Sequence, residues 1–373
     1  MRIVFWQNLL SIHQLPYIAH LLDDSRVNEV IVVVGEEIDK NRATMGWKVP
    51  QIDGLSRCKI IVNPQDYEIK DIFSKNEIES WHLFSGIRGF KFVYNAFKIS
   101  LNYQIKRGLI TERPNTFAFG ITNGKPLWLH KIRFLLQDKK YTKYIEKVFA
   151  MGDDAVSYFH SVCKKWNVIP FGYCTETTYI PIESISDRIN FCFIGSLSWW
   201  KAPQNIIKAG IQLNKDINIS YIGDGNKGKE IKALVENHKQ IHVTFYGFQE
   251  HNKIPQLLAS QDVLILPSIY DGWGAVINEA LQIGLFVICS DKCGAKELLK
   301  DPKCGKVFHS NNIKELVALM EYCATNIKTI RANRKYRQKW AQSHISGPII
   351  AKYMINCLNN ISVIRPWYKL DNE

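Results

Sequence analysis

Residues 189–222 read INFCFIGSLSWWKAPQNIIKAGIQLNKDINISYI. The run 189–194 is almost wholly apolar and short, the signature of a strand buried on both faces. A glycine turn follows at 195, apolar positions recur at helical spacing over 202–212, and 217–222 is a second strand-like run. Strand, helix and strand in that order form a unit whose two strands lie parallel in one sheet. The alternation continues with a helix over 228–238, a strand over 241–246 and a helix near 253–260. A strand over 263–266, a helix over 275–283, a strand over 286–290 and a helix near 313–323 complete it. This half reads as a doubly wound α/β domain.

The preceding half reads as a looser version of the same architecture. Strands are expected at 2–6, 29–35, 59–62, 82–85 and 115–119, with a helical stretch over 16–22 and a helix opening near 149–152. A polar, Pro-containing segment ending near 187 marks the boundary, so the domains are expected at 1–187 and 188–345, with a final helix and tail over 346–373. Ligands of such folds lie outside the carboxyl ends of the strands, which points to a cleft between two such domains.

Composition agrees with this reading. The chain has 373 residues, 46% hydrophobic and 22% charged, with 48 basic against 35 acidic side chains for a net charge of +13. That excludes a disordered chain and leaves room for two cores. No stretch reaches the roughly 18–20 apolar residues of a membrane span, and the apolar opening breaks at Gln7-Asn8, too soon for a signal peptide. A cytoplasmic protein is expected. Nine cysteines without a C-x-x-C pair fit neither a disulfide framework nor a zinc knuckle, so no metal is expected and the thiols are reduced.

Gly223-Asp224-Gly225-Asn226-Lys227-Gly228 matches the dinucleotide fingerprint, with Glu250 further on. It follows the second strand of its domain, whereas the fingerprint belongs after the first. A glycine-supplied tight turn is the better reading.

The segment Leu266-Pro267-Ser268-Ile269-Tyr270-Asp271-Gly272-Trp273-Gly274-Ala275-Val276-Ile277-Asn278-Glu279 carries the chemistry. A buried strand gives way to a glycine-bracketed turn and then a helix. Backbone N–H groups of Trp273, Gly274 and Ala275 at the helix start suit an anion, and Gly272 and Gly274 let the backbone approach it. Asp271 and Glu279 flank the turn: an acid before a phosphate cradle can accept bonds from sugar hydroxyls, and one on the first helical turns can grip a ribose.

These residues resemble the retaining glycosyltransferases of family 4 (glycosyl transferases group 1). That family frames two acids as P-S-x-x-E-x-x-G-x-x-x-x-E-A. Here the frame is Pro267-Ser268, Asp271, Gly274 and Glu279-Ala280, with Asp271 in place of the family glutamate. Gly195-Ser196-Leu197 and Lys201-Ala202 are similar to the family's G-R-L and K-G, with Ser196 in place of the arginine. Further matches are Ile222-Gly223-Asp224-Gly225, Gly247-Phe248, Cys293-Gly294-Ala295-Lys296-Glu297 and Gly305-Lys306-Val307-Phe308.

The resemblance implies the GT-B fold: two Rossmann-like domains facing across a cleft, with the C-terminal helix crossing back to the first. It implies transfer of a sugar from a nucleotide-sugar to a glycan or lipid-linked glycan, with retained configuration and without metal, in bacterial surface polysaccharide (O-antigen, capsule or lipopolysaccharide) biosynthesis. Asp271 would hold sugar hydroxyls, Lys201 and the 273–275 amides the diphosphate, and Glu279 the ribose, with Gly195, Ser196, Gly272 and, on the base side, Phe248 also binding the donor. His82, leading into a glycine turn, is similar to the cleft histidine that contacts the donor sugar. A lone histidine can equally be a core residue. Two rival readings are a binding protein of the same fold without turnover, suggested by the Ser196 and Asp271 departures, and a nucleotide-sugar epimerase.

Acceptor candidates in the first half are Ser11 and His13, which could instead cap the following helix, and Glu112. Between 84 and 147 lie thirteen Lys or Arg against three acids, interleaved with aromatics. Such a segment suits an anionic membrane surface or a polyprenyl-diphosphate acceptor, giving a peripheral association with the inner membrane face. No nucleic-acid-binding motif accompanies the charge.

Overall fold

The computed structural model describes residues 1–38, 52–75, 79–115, 127–176 and 186–368. Contacts divide the chain into two units, Met1–Thr175 with Ser346–Pro366 and Glu176–Ile345 with Trp367–Glu373. The first division thus falls earlier than the expected 187, and the tail is shared between the units.

Unit 1 is built on β1 (Arg2–Leu9), β2 (Glu29–Glu36), β3 (Lys59–Val62), β4 (Ser80–Phe84), β5 (Lys106–Thr111), β6 (Lys147–Met151) and β7 (Asn167–Phe171). They form one sheet in the order β3-β2-β1-β4-β5-β6-β7, and every pairing is parallel. Among the described residues before Thr175, its helices are α1 (Leu15–Ala19), α2 (Asp66–Ser74), α3 (Lys91–Ser100), α4 (Leu127–Gln137) and α5 (Asp153–Val162). Residues 2–7 of β1 are all buried, as a central strand covered on both faces must be. Trp6 stacks on Phe73 of α2 at 4.8 Å and anchors a core with Phe84 and Phe97. Of the strand expected at 115–119, Asn115 has no regular structure and 116–119 lie outside the described residues; β5 stands earlier in the chain and ends at Thr111. Phe149–Met151, expected to open a helix, ends β6, and α5 starts only at Asp153.

Unit 2 repeats the plan with β8 (Asn190–Ile194), α6 (Gln204–Leu213), β9 (Ile217–Ile222), α7 (Gly228–Val235), β10 (Ile241–Gly247) and α8 (Ile254–Ala259). Then come β11 (Val263–Leu266), α9 (Val276–Ile283), β12 (Phe286–Ser290), β13 (Gly305–Phe308), α10 (Ile313–Thr325), α11 (Ile327–Ala332) and α12 (Arg334–His344). The strands order as β10-β9-β8-β11-β12-β13, again all parallel. The last helix, α13 (Gly347–Leu358), packs on α1 within unit 1.

In each sheet the strand order reverses beside the first strand, between β1 and β4 and between β8 and β11. Loops at the carboxyl ends of these pairs diverge and leave a crevice, the ordinary ligand position in such folds. Among the described residues, no helix is long and apolar enough to cross a membrane.

Candidate active site

The crevice of unit 2 is made by the loops after β8 and β11. Lys201 follows the first and Asp271 the second, and because β8 and β11 pair, side chains distant in sequence meet: Lys201 Nζ lies 2.5 Å from Asp271 Oδ2. Both are mostly shielded, with side-chain exposures of 21% and 11%. The loops are also tied through backbone, since Ile269 N–H donates to Trp200 O at 2.7 Å. An ammonium and a carboxylate at one strand-end crevice supply what a sugar diphosphate needs: a counter-charge and a hydroxyl acceptor.

Gly274 has φ +92°, a conformation costly for other residues, and it turns the chain into α9. A Cβ there would stand 3.4 Å from Asp271 Oδ2. The Trp273 side chain faces inward, is 2% exposed and donates from Nε1 to Asn278 Oδ1 at 2.9 Å. Any ligand role of this residue therefore belongs to its backbone. Gly223 packs on Gly195: a Cβ at Gly223 would lie 2.1 Å from Gly195 O, and Leu197 N–H donates to Asp224 O. The 223–225 glycines are thus spent on bringing two loops of unit 2 together.

Glu279, in the first turn of α9, lies 3.5 Å from His251 Nε2. The carboxylate raises the histidine pKa above its ordinary value, against the opposing effect of burial. Both side chains line a small recess with Glu176, Ile254, Pro255 and Leu258. His251 went unread in the sequence, although it stands just after the Gly247-Phe248 turn. Phe248 and Ser196 are exposed, so Ser196 supplies no cation where the family has one. Among the described residues, no cluster of three or more His, Cys, Asp or Glu could hold a metal ion.

Unit 1 contains a cavity of about 690 Å³ at the carboxyl ends of β1, β4 and β5. Ser11, His13 and Glu112 all line it. Sequence reasoning missed Gln7, Arg88, Arg113, His130 and Arg133, which line it too. Gln7 is 3% exposed; its Nε2 donates to Gln14 Oε1 at 2.7 Å, while its Oε1 has no hydrogen-bond partner among the described residues. A buried acceptor without a partner is costly, and a ligand donor in the cavity would relieve that cost. Arg88 is already engaged, by Asp138 at 2.5 Å and Gln137 O at 2.9 Å.

His82 does not belong to a ligand site. It lies on β4, wholly buried, with Trp6 Nε1 donating to its Nδ1 at 3.1 Å and Ser80 Oγ 3.3 Å from its Nε2. Accepting at Nδ1 requires the proton on Nε2, so the ring is the neutral tautomer. Burial first, then Arg2 and Arg107, hold its pKa well below the usual histidine value. A ring enclosed by Trp6 and Phe73 cannot touch a donor sugar, which corrects the expectation drawn from its glycine turn.

Residues 176–342 match the family model of glycosyl transferases group 1. A protein of the cps region of Klebsiella pneumoniae is 23% identical over 61% of this chain and 70% of its own length. An N-acetylgalactosaminyltransferase of Campylobacter jejuni, acting on a diacetylbacillosaminyl-diphospho-undecaprenol glycan, is 25% identical over 42% of this chain and 43% of its own. The crystal structure of Anabaena HepE in complex with UDP superposes with a TM-score of 0.67 at 14% identity, covering 96% of this chain and 100% of that one. Two parallel doubly wound units and a group 1 domain define a glycosyltransferase of the GT-B class. The match to glycosyl transferases group 1 covers residues 176–342, which hold most of unit 2.

Proposed function

We propose that the chain moves a sugar from a nucleotide-sugar bound by unit 2 to a glycan or lipid-linked glycan bound in the cavity of unit 1, with retention of anomeric configuration. The observation that carries this reading is the meeting of Lys201 and Asp271 at the β8/β11 crevice. Lys201 and the 273–275 backbone neutralise the diphosphate, Asp271 accepts from sugar hydroxyls, Glu279 holds the ribose, and Phe248 and Gly195 border the nucleotide. Ser11, His13, Glu112 and Gln7 meet acceptor hydroxyls. The bond from the sugar C1 to the diphosphate oxygen breaks, a bond from C1 to an acceptor oxygen forms on the same face, and the acceptor proton leaves with the phosphate. No side chain is the nucleophile and no metal takes part.

Support for the donor class comes from HepE, whose structures hold UDP and UDP-glucose. The cps-region and undecaprenol-linked relatives support surface polysaccharide assembly and a peripheral membrane location. Lys201→Ala is expected to lower turnover about 10²–10³-fold, as loss of one diphosphate donor does, with activity indifferent to chelator. Unchanged transfer by Lys201→Ala would sink the assignment. Tight calorimetric binding of uridine diphosphate with no product from any lipid-linked or free glycan would favour a binding protein, the reading that Ser196 keeps open.

A further inference from the structure

Helix α4 has the sequence LWLHKIRFLLQ, and its apolar side chains point the wrong way for a soluble helix. Phe134 is its one buried residue, whereas Trp128 is 58% exposed, Leu129 39%, Ile132 45%, Leu135 48% and Leu136 80%. At about 100° per residue, these five fall within one arc of about 120°. His130 and Phe134 occupy the opposite side, Arg133 stands between the two faces, and all three line the unit 1 cavity. The helix therefore uses one face as cavity wall and presents the other, apolar, outward.

The surroundings of that face are cationic. From Leu127 to Tyr144 the chain carries Lys131, Arg133, Lys139, Lys140 and Lys143 against a single acid, Asp138, which Arg88 already neutralises. Lys139, Lys140 and Lys143 are exposed. An apolar arc bordered by lysines, with a tryptophan among its leucines, matches the boundary between anionic headgroups and acyl chains. A partner protein surface would also cover leucines, but it would not explain an excess of one sign of charge around them.

We propose that the outward face of α4 inserts into the surface of an anionic lipid bilayer and so fixes the mouth of the unit 1 cavity at headgroup level. This deepens the peripheral location proposed above, and rests on the acceptor reading only for its purpose. Apolar insertion and charge attraction act as two signals, neither sufficient for stable attachment by itself.

Sedimentation of the full chain with vesicles of phosphatidylcholine alone, or mixed with phosphatidylglycerol, tests it. The chain should pellet with the anionic vesicles, release as salt rises, and remain in solution with the neutral ones. The double variant Leu135→Glu/Leu136→Glu changes exposed side chains only and should lose about tenfold or more of the vesicle affinity, while uridine diphosphate binding and circular dichroism stay as in the wild type. Absence of pelleting would overturn the proposal, as would pelleting that the double variant leaves intact. Light scattering that shows a wild-type dimer converted to monomer by the same variant would make α4 a self-association face instead. Vesicle binding without any sugar transfer would uphold the membrane face and count against the transferase reading alone.

Discussion

The bond from Trp6 Nε1 to His82 Nδ1 joins two residues that are both 0% exposed, on the paired strands β1 and β4. Removing the imidazole leaves a cavity beside Phe73 and an indole N–H with no acceptor. His82→Ala should therefore cost about 2–4 kcal/mol of stability, read by urea denaturation, while sugar transfer per folded molecule is unchanged. A variant that stays stable but loses transfer would return His82 to the reaction. The contrast with Lys201 and Asp271 explains what could be read in advance. Those two sit in ordered motifs at strand ends, where spacing alone fixes the loop they occupy. His82 sits inside a strand buried on both faces, so no alternation of polar and apolar neighbours reveals where its ring points.

Elements explain why the unit 2 crevice is legible and much of unit 1 is not. The runs of β8, β9, β11 and β12 are apolar and bounded by glycine or polar turns, so the alternation declares itself. β5 opens with Lys106-Arg107-Gly108, too polar a start to read as a buried strand. Arg107 is nonetheless buried, because its guanidinium donates to the carbonyls of Ser100, the last residue of α3, and of Tyr103 and Ile105 in the connection that follows. Only the folded chain shows those acceptors converging. α4 was visible as part of a basic, aromatic segment, yet its apolar arc looks like an ordinary core face until burial reveals the opposite. Loop against loop is the other element-scale device. Gly223 has φ +131°, and its approach to Gly195 O leaves no space for a side chain. Gly223→Ala must displace the loop that carries Ser196 and Lys201, and should weaken uridine diphosphate about tenfold, equivalent to about 1.4 kcal/mol. Calorimetry decides it: unchanged affinity in a less stable variant would show that the loop moves without consequence for the ligand.

At the scale of the molecule, unit 1 is discontinuous in sequence, with Glu176–Ile345 of unit 2 intervening between its two segments. α13 supplies unit 1 with Ile350, Ala351, Tyr353, Met354 and Ile355, all at least nine-tenths buried. The Tyr353 ring stacks on Phe171 at 6.3 Å, and its hydroxyl donates to Pro170 O at 3.0 Å. Arg26 Nη2 donates to Asn356 Oδ1 at 3.0 Å, and Lys147 Nζ to Asn360 Oδ1 at 2.6 Å, adding polar ties along the same segment. Burial of each large apolar side chain contributes about 1.5–3 kcal/mol before the entropy of ordering it is subtracted. Unit 1 is therefore incomplete without Ser346–Pro366, whereas most of unit 2 is one continuous stretch. Tyr353→Ala should lower the unfolding free energy of unit 1 by about 3–5 kcal/mol, the usual cost of truncating a buried aromatic ring to alanine. Scanning calorimetry with uridine diphosphate identifies the transitions, because a ligand of unit 2 raises the one that belongs to it. The variant should lower the other transition and leave the ligand-shifted one in place; equal movement of both would mean that the two units unfold as one.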